Sequence, residues 1–143
     1  MKTPIPGIIH FCLEELVAPG MVNDYGPRAI QFLDKSMVFC MDRLSGDVGG
    51  IIINNYHTGG TFSESGVREP DTKTGARRSI HKSGGAFDGK PLKLTPAQLY
   101  DHINKNRARY PEITCIEDVS KTVTWLHMDN RWHTYNGILI VQP

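Results

Sequence analysis

The sequence predicts an α+β fold: a small, mostly antiparallel sheet with helices packed on one side. Three observations lead there. The stretch 27–44 carries apolar residues at helical spacing, and Thr95 opens a second helix with a proline-bearing cap. Three short strand-like runs then follow one another with no helix between them. Helices and strands thus come in runs rather than in strict βαβ alternation, the pattern of an α+β domain.

Each element has its own local reason. Residues 8–17 read as a short helix or strand closed by Pro19-Gly20. In 27–44, Ile30, Leu33, Met37, Cys40, Met41 and Leu44 fall on one face, Pro27 suits the first turn, and Ser45-Gly46 supplies a stop. Residues 50–56 (GIIINNY) are β-branched and then polar, as in a buried strand running out into a loop. The stretch 57–90 is rich in Gly, Ser, Thr and charge and reads as a long loop, a kind usually functional or disordered. Thr95-Pro96-Ala97-Gln98 is a capping box; the helix it opens carries Leu99, Ile103 and Tyr110 and ends at Pro111. Residues 113–117, 122–129 and 137–141 read as strands, with Asn136-Gly137 as a turn.

Composition narrows the function classes. At 143 residues the chain fits one domain, 1–143, long enough to bury a core without staples. Its 39% hydrophobic and 22% charged content argues against disorder. Sixteen basic against 15 acidic side chains leave +1, which gives no electrostatic case for nucleic acid or an anionic membrane. No apolar run approaches the roughly 20 residues of a spanning helix. Glu14 and Glu15 interrupt any signal-like segment after Lys2, so the expectation is cytoplasmic synthesis without a signal peptide. Cys12, Cys40 and Cys115 are odd in number, far apart and apolar-flanked; they read as buried, reduced thiols, and no close pair offers a zinc ribbon.

Two segments carry chemistry. In Ser79-Ile80-His81-Lys82-Ser83-Gly84-Gly85-Ala86-Phe87-Asp88, a histidine and an aspartate stand seven positions apart across a double glycine. Glycine permits the sharp turn that lets both side chains converge, and imidazole and carboxylate are both natural zinc ligands. In Thr124-Trp125-Leu126-His127-Met128-Asp129, strand alternation places Trp125, His127 and Asp129 on one face. Taken singly, each piece equally suits solvated loop residues or a satisfied core histidine.

Together, SxHxxGxAxD and the later W-x-H-x-D strand resemble the zinc D-alanyl-D-alanine peptidase family. That family includes carboxypeptidases and phage endolysins, and its fold is related to the hedgehog signalling domain and lysostaphin. Ser79, His81, Gly84, Ala86 and Asp88 fill the first motif. Ser65-Gly66-Val67-Arg68 is similar to the family's S-G-x-R element, and His127-Met128-Asp129-Asn130-Arg131 to its H-x-D-x-R ending. The resemblance covers roughly 51–131.

It implies that His81, Asp88 and His127 bind one Zn2+ with a position left open, as catalytic zinc requires. It also implies that Arg68 and Ser79 help hold a peptidoglycan peptide. The chain departs from the pattern at the base. Many members carry an acid three residues before the last zinc histidine, here Thr124; others carry a histidine two before it, here Trp125. Neither takes a proton near neutral pH. Asp129 is the first substitute, as base or as a group that orients His127 or pairs with Arg131. Glu117, Asp118, His57 and His133 are further candidates. The expected function is zinc-dependent hydrolysis of D-amino-acid-containing wall peptides, in a phage- or prophage-encoded protein acting at the bacterial cell wall. The alternative is a catalytically silent zinc-binding module or virion structural protein that keeps the fold.

Overall fold

The computed structural model describes residues 2–143. The fold is α+β, with a five-stranded mixed sheet and four α-helices. In chain order these are α1 (Leu13–Leu16), α2 (Pro19–Tyr25), α3 (Lys35–Val48), β1 (Ile51–Ile52), β2 (Ala86–Pro91), α4 (Pro96–Lys105), β3 (Cys115–Glu117), β4 (Leu126–Asp129) and β5 (Leu139–Val141). The sheet runs β1-β2-β4-β3-β5; β3 and β5 pair in parallel and the other three junctions are antiparallel.

Alternation along the strands sorts the sheet into two unlike faces. Phe87, Met128 and Ile116 are mutual register neighbours on one face and join the core with Met37, Met41 and Leu44 of α3 and Leu99 and Ile103 of α4. Asp88 stands opposite His127, and Cys115 and Ala86 opposite Asp129, on the other face. That second face carries the chemistry.

The helices differ instructively from expectation. Residues 27–44 do not form one helix. A 3-10 segment, Gly26–Phe32, ends at an extended Leu33, and α3 starts afresh with Asp34 as its cap, accepting from Met37 N at 2.9 Å. The break is tertiary in origin: Asp34 N donates to Gly84 O, 3.2 Å away, a bond a continuous helix would forbid. Ser45-Gly46 does not stop α3, because burial of Leu44, Ser45 and Val48 carries it on to Gly49, whose φ of 83° turns the chain. Pro19 begins a helix instead of ending one, as proline does at a first helical position. The box at Thr95 forms as expected, with Thr95 Oγ1 and Gln98 Oε1 satisfying each other's backbone amides. Tyr110 lies beyond α4, after a short 3-10 turn.

The long loop hides β2, a central strand. Its Gly89 and Pro91 suppress strand propensity, yet pairing with both β1 and β4 holds it. The strands at 122–129 and 137–141 are shorter than expected, at Leu126–Asp129 and Leu139–Val141. All three cysteines are buried and unpaired, and no helix of the described residues is long and apolar enough to cross a membrane.

Candidate metal centre

His81 sits in a 3-10 turn, Ile80–Ser83, capped by Ser79, whose hydroxyl accepts from His81 N at 3.3 Å. Ser79 therefore shapes the turn that presents His81, and it also lines the adjoining cleft. The turn is anchored from the N-terminal region. Leu16 O and Ala18 N bond Val67, and Arg68 N donates to His81 O. Gly66 must lack a side chain here, because a Cβ would lie 2.2 Å from Leu16 O. The Gly66 carbonyl, held in this way, faces His81 Nδ1 at 2.8 Å. A carbonyl only accepts, so Nδ1 carries the proton and Nε2 presents a bare lone pair.

His127 is fixed by the same logic from the opposite side. Its Nε2 lies 2.7 Å from Asp129 Oδ2, and Asp129 is fully buried and gripped by Arg131 through Nε at 2.9 Å and Nη2 at 2.6 Å. The carboxylate accepts the Nε2 proton, which leaves Nδ1 bare. Register pairing sets Asp88 directly across from His127. Arg68 Nη2 holds Asp88 Oδ2 at 3.2 Å, which turns Oδ1 toward the imidazoles.

Three acceptor atoms thus converge. His81 Nε2 and His127 Nδ1 are 3.2 Å apart, and Asp88 Oδ1 is 3.3 Å from the first and 2.9 Å from the second. Lone pairs this close repel unless a cation lies among them: a metal ion or a proton. The three residues form a buried group that can hold a metal ion. As a proton site, the group shows the same pull. Burial disfavours charge on His127, but its bonds to Asp129 and Asp88 outweigh that and push it up to about 9. Burial likewise opposes ionisation of Asp88, yet its bonds to the two imidazoles hold it well below the usual carboxylate range. Asp129 is lowered to about 2: burial opposes this, and the bonds from His127 and Arg131 prevail.

The group opens on a cleft of about 460 Å³, whose wall includes Arg68, Arg78, Glu117, Trp125 and Arg131. Arg68 is 9% exposed and tied by Nε to Glu64 O at 2.6 Å. Glu64 in turn takes the hydroxyls of Thr72 and Thr74, which fixes the loop over the site. Behind Arg68, Lys90 bonds Ile53 O, Ser65 Oγ and Asp88 O and lies 4.1 Å above the Phe62 ring. Burial lowers Lys90 to about 8, against the pull of Asp88.

Asp129 has both oxygens engaged by His127 Nε2 and Arg131, at the end of the His127 ring opposite the Nδ1 that faces Asp88. His133 donates to Thr114 O at 2.7 Å and accepts from Tyr135 N. His57 lies against Cys12, 4.0 Å from its sulfur. Asp118 bonds Ser120 N at a turn. None of these three belongs to the cluster. Glu117 does approach it, 3.9 Å from His127 Nδ1.

The arrangement defines a class: an α+β protein with a buried His-Asp-His group able to hold a metal ion at the foot of an arginine-lined cleft. No family model, curated protein or solved structure matches the chain.

Proposed function

We propose that this chain is a zinc metallopeptidase of the D-alanyl-D-alanine peptidase kind, acting on D-amino-acid-containing peptides of bacterial peptidoglycan. The observation that carries this reading is the triangle of bare acceptors on His81, Asp88 and His127, beside a cleft that Arg68 overlooks. Two imidazoles and one carboxylate suit zinc far better than calcium or magnesium, which prefer all-oxygen sites. Zinc, when bound, supplies Lewis acidity: it polarises the scissile carbonyl and acidifies water.

The chain's own residues supply orientation. Gly66 O and Asp129 fix the two tautomers, as outer partners of metal-binding histidines do. Arg68 fixes Asp88, and its Nη1, without a partner among the described residues, is free for a substrate carboxylate or carbonyl. The motif order and three antiparallel junctions support a mostly antiparallel, hedgehog- and lysostaphin-related fold. Action at the bacterial cell wall, from a phage or prophage gene, completes the proposal.

One observation favours a second reading, a zinc-holding module without turnover. Thr124 is exposed and Trp125 lines the cleft, so the two positions where relatives carry a base hold none. A single experiment separates the two readings. Purified protein should carry about one zinc per chain by elemental analysis and release peptide fragments or D-alanine from peptidoglycan, and a chelator should stop the release. Full zinc with no product from several wall chemotypes would favour the silent module. Absence of zinc would remove both readings.

A further inference from the structure

We infer that Glu117 is the catalytic base of this site, supplied from the strand next to His127 rather than from the segment that precedes it. The inference rests on the peptidase reading above and names the residue that reading leaves unassigned. It starts from register. Cys115 pairs with Asp129 and Ile116 with Met128, so the same register continued by one residue puts Glu117 beside His127. Asp88 reaches His127 from β2 on one flank and Glu117 from β3 on the other, each about one strand spacing, ~4.8 Å, away. Alternation sends the Glu117 side chain to the polar face, where Oε1 comes within 3.9 Å of His127 Nδ1, the atom facing the cluster.

Elimination points the same way. Asp88 and Glu117 are the two acidic side chains lining the cleft among the described residues. Asp88 is spoken for by Arg68 and the imidazoles, Asp129 by Arg131 and His127, and Glu64 by two threonines. The contact with His127 is the one ion-pair contact Glu117 makes among the described residues, and its side chain, 20% exposed, is part of the cleft wall. A carboxylate that is fixed at its base, open at its tip and aimed at the cluster has the geometry a proton acceptor needs.

The step balances. A water in the cleft gives one proton to Glu117 as its oxygen bonds to the peptide carbonyl carbon. The C–N bond then breaks and the same proton passes to the leaving amine. Peptide plus water give acid plus amine, and Glu117 returns to carboxylate.

The test is Glu117→Gln, assayed with a blocked tripeptide ending in D-Ala-D-Ala and with peptidoglycan. The expected result is a fall in kcat on the order of 10²–10⁴-fold with KM little changed. Zinc stoichiometry and zinc affinity should match wild type within about threefold. Mass spectrometry should show the variant holding the intact tripeptide. Turnover within about threefold of wild type would overturn the assignment and leave the peptidase reading standing. Loss of zinc from the variant would also overturn it, because Glu117 would then be a ligand. A zinc-loaded wild type inert on every substrate would overturn both the reading and the base.

Discussion

Two polar clusters in this protein both contain histidine beside carboxylate; one reaches the surface, where Asp47 and Arg109 are exposed, the other is largely buried, and they also differ in how donors match acceptors. At the helical end, His102 Nε2 lies 2.9 Å from Tyr110 Oη, and Tyr110 donates in turn to Asp47, which Arg109 also holds. Each acceptor there meets a donor, so the chain of bonds closes on itself. At the sheet's polar face, His81, Asp88 and His127 turn three acceptors toward one another, and the donors that would satisfy them lie behind the rings. The lesson is in the bookkeeping of protons. The surface cluster pairs each acceptor with a donor, whereas the buried one brings three acceptors around a single place that a proton or a metal ion can take.

The largest effect should come from breaking the unbalanced cluster. His81→Ala, Asp88→Ala and His127→Ala should each weaken zinc binding more than about 100-fold, since a three-ligand site loses a third of its ligands. Titration of zinc against a chelating indicator reads this directly. Wild-type affinity in all three variants would mean that zinc does not bind here.

The next effect is a pair of opposite pH slopes. The folded-state value of His127, about 9, lies above its ordinary 6.5. Without metal, stability from that proton is fully present below about 6.5 and is lost as pH rises toward 9. Zinc must displace the same proton, so its apparent affinity should rise by up to about tenfold per pH unit across that window. Thermal melts with and without zinc from pH 6.5 to 9 should therefore diverge, the metal-free Tm falling and the zinc increment growing. Parallel curves would deny that metal and proton share one place.

The smallest effect sharpens the contrast. Tyr110→Phe should cost about 1 kcal/mol of stability, the net worth of a hydrogen bond, and leave zinc binding untouched. A change in zinc affinity would show that the two clusters are coupled.

Some of this was readable along the chain. Thr95 and Gln98 lie within one turn of each other, so a local cap could announce α4. The identities of His81, Asp88 and His127 were legible because residues with ligand chemistry stood in a recognisable order. Other features were not. The break at Leu33 and Asp34 depends on Gly84, far along the chain, and β2 exists because β4 and β1 pair with it. Glu117 gave a weak signal, since at the end of a three-residue strand it reads equally as a solvated turn.

The sequence by itself determined which side chains hold ligand chemistry, where glycine allows close approach, and which segments alternate or wind by their own periodicity. Those properties are local, set within a few residues by sterics and hydrogen bonding. Tertiary structure alone decided that Asp88 and Glu117 flank His127, that Gly66 O and Asp129 choose the tautomers, and that Asp129 lies behind the ring. These are contacts between strands and loops distant in sequence, and their geometry exists only once register and packing bring the partners together.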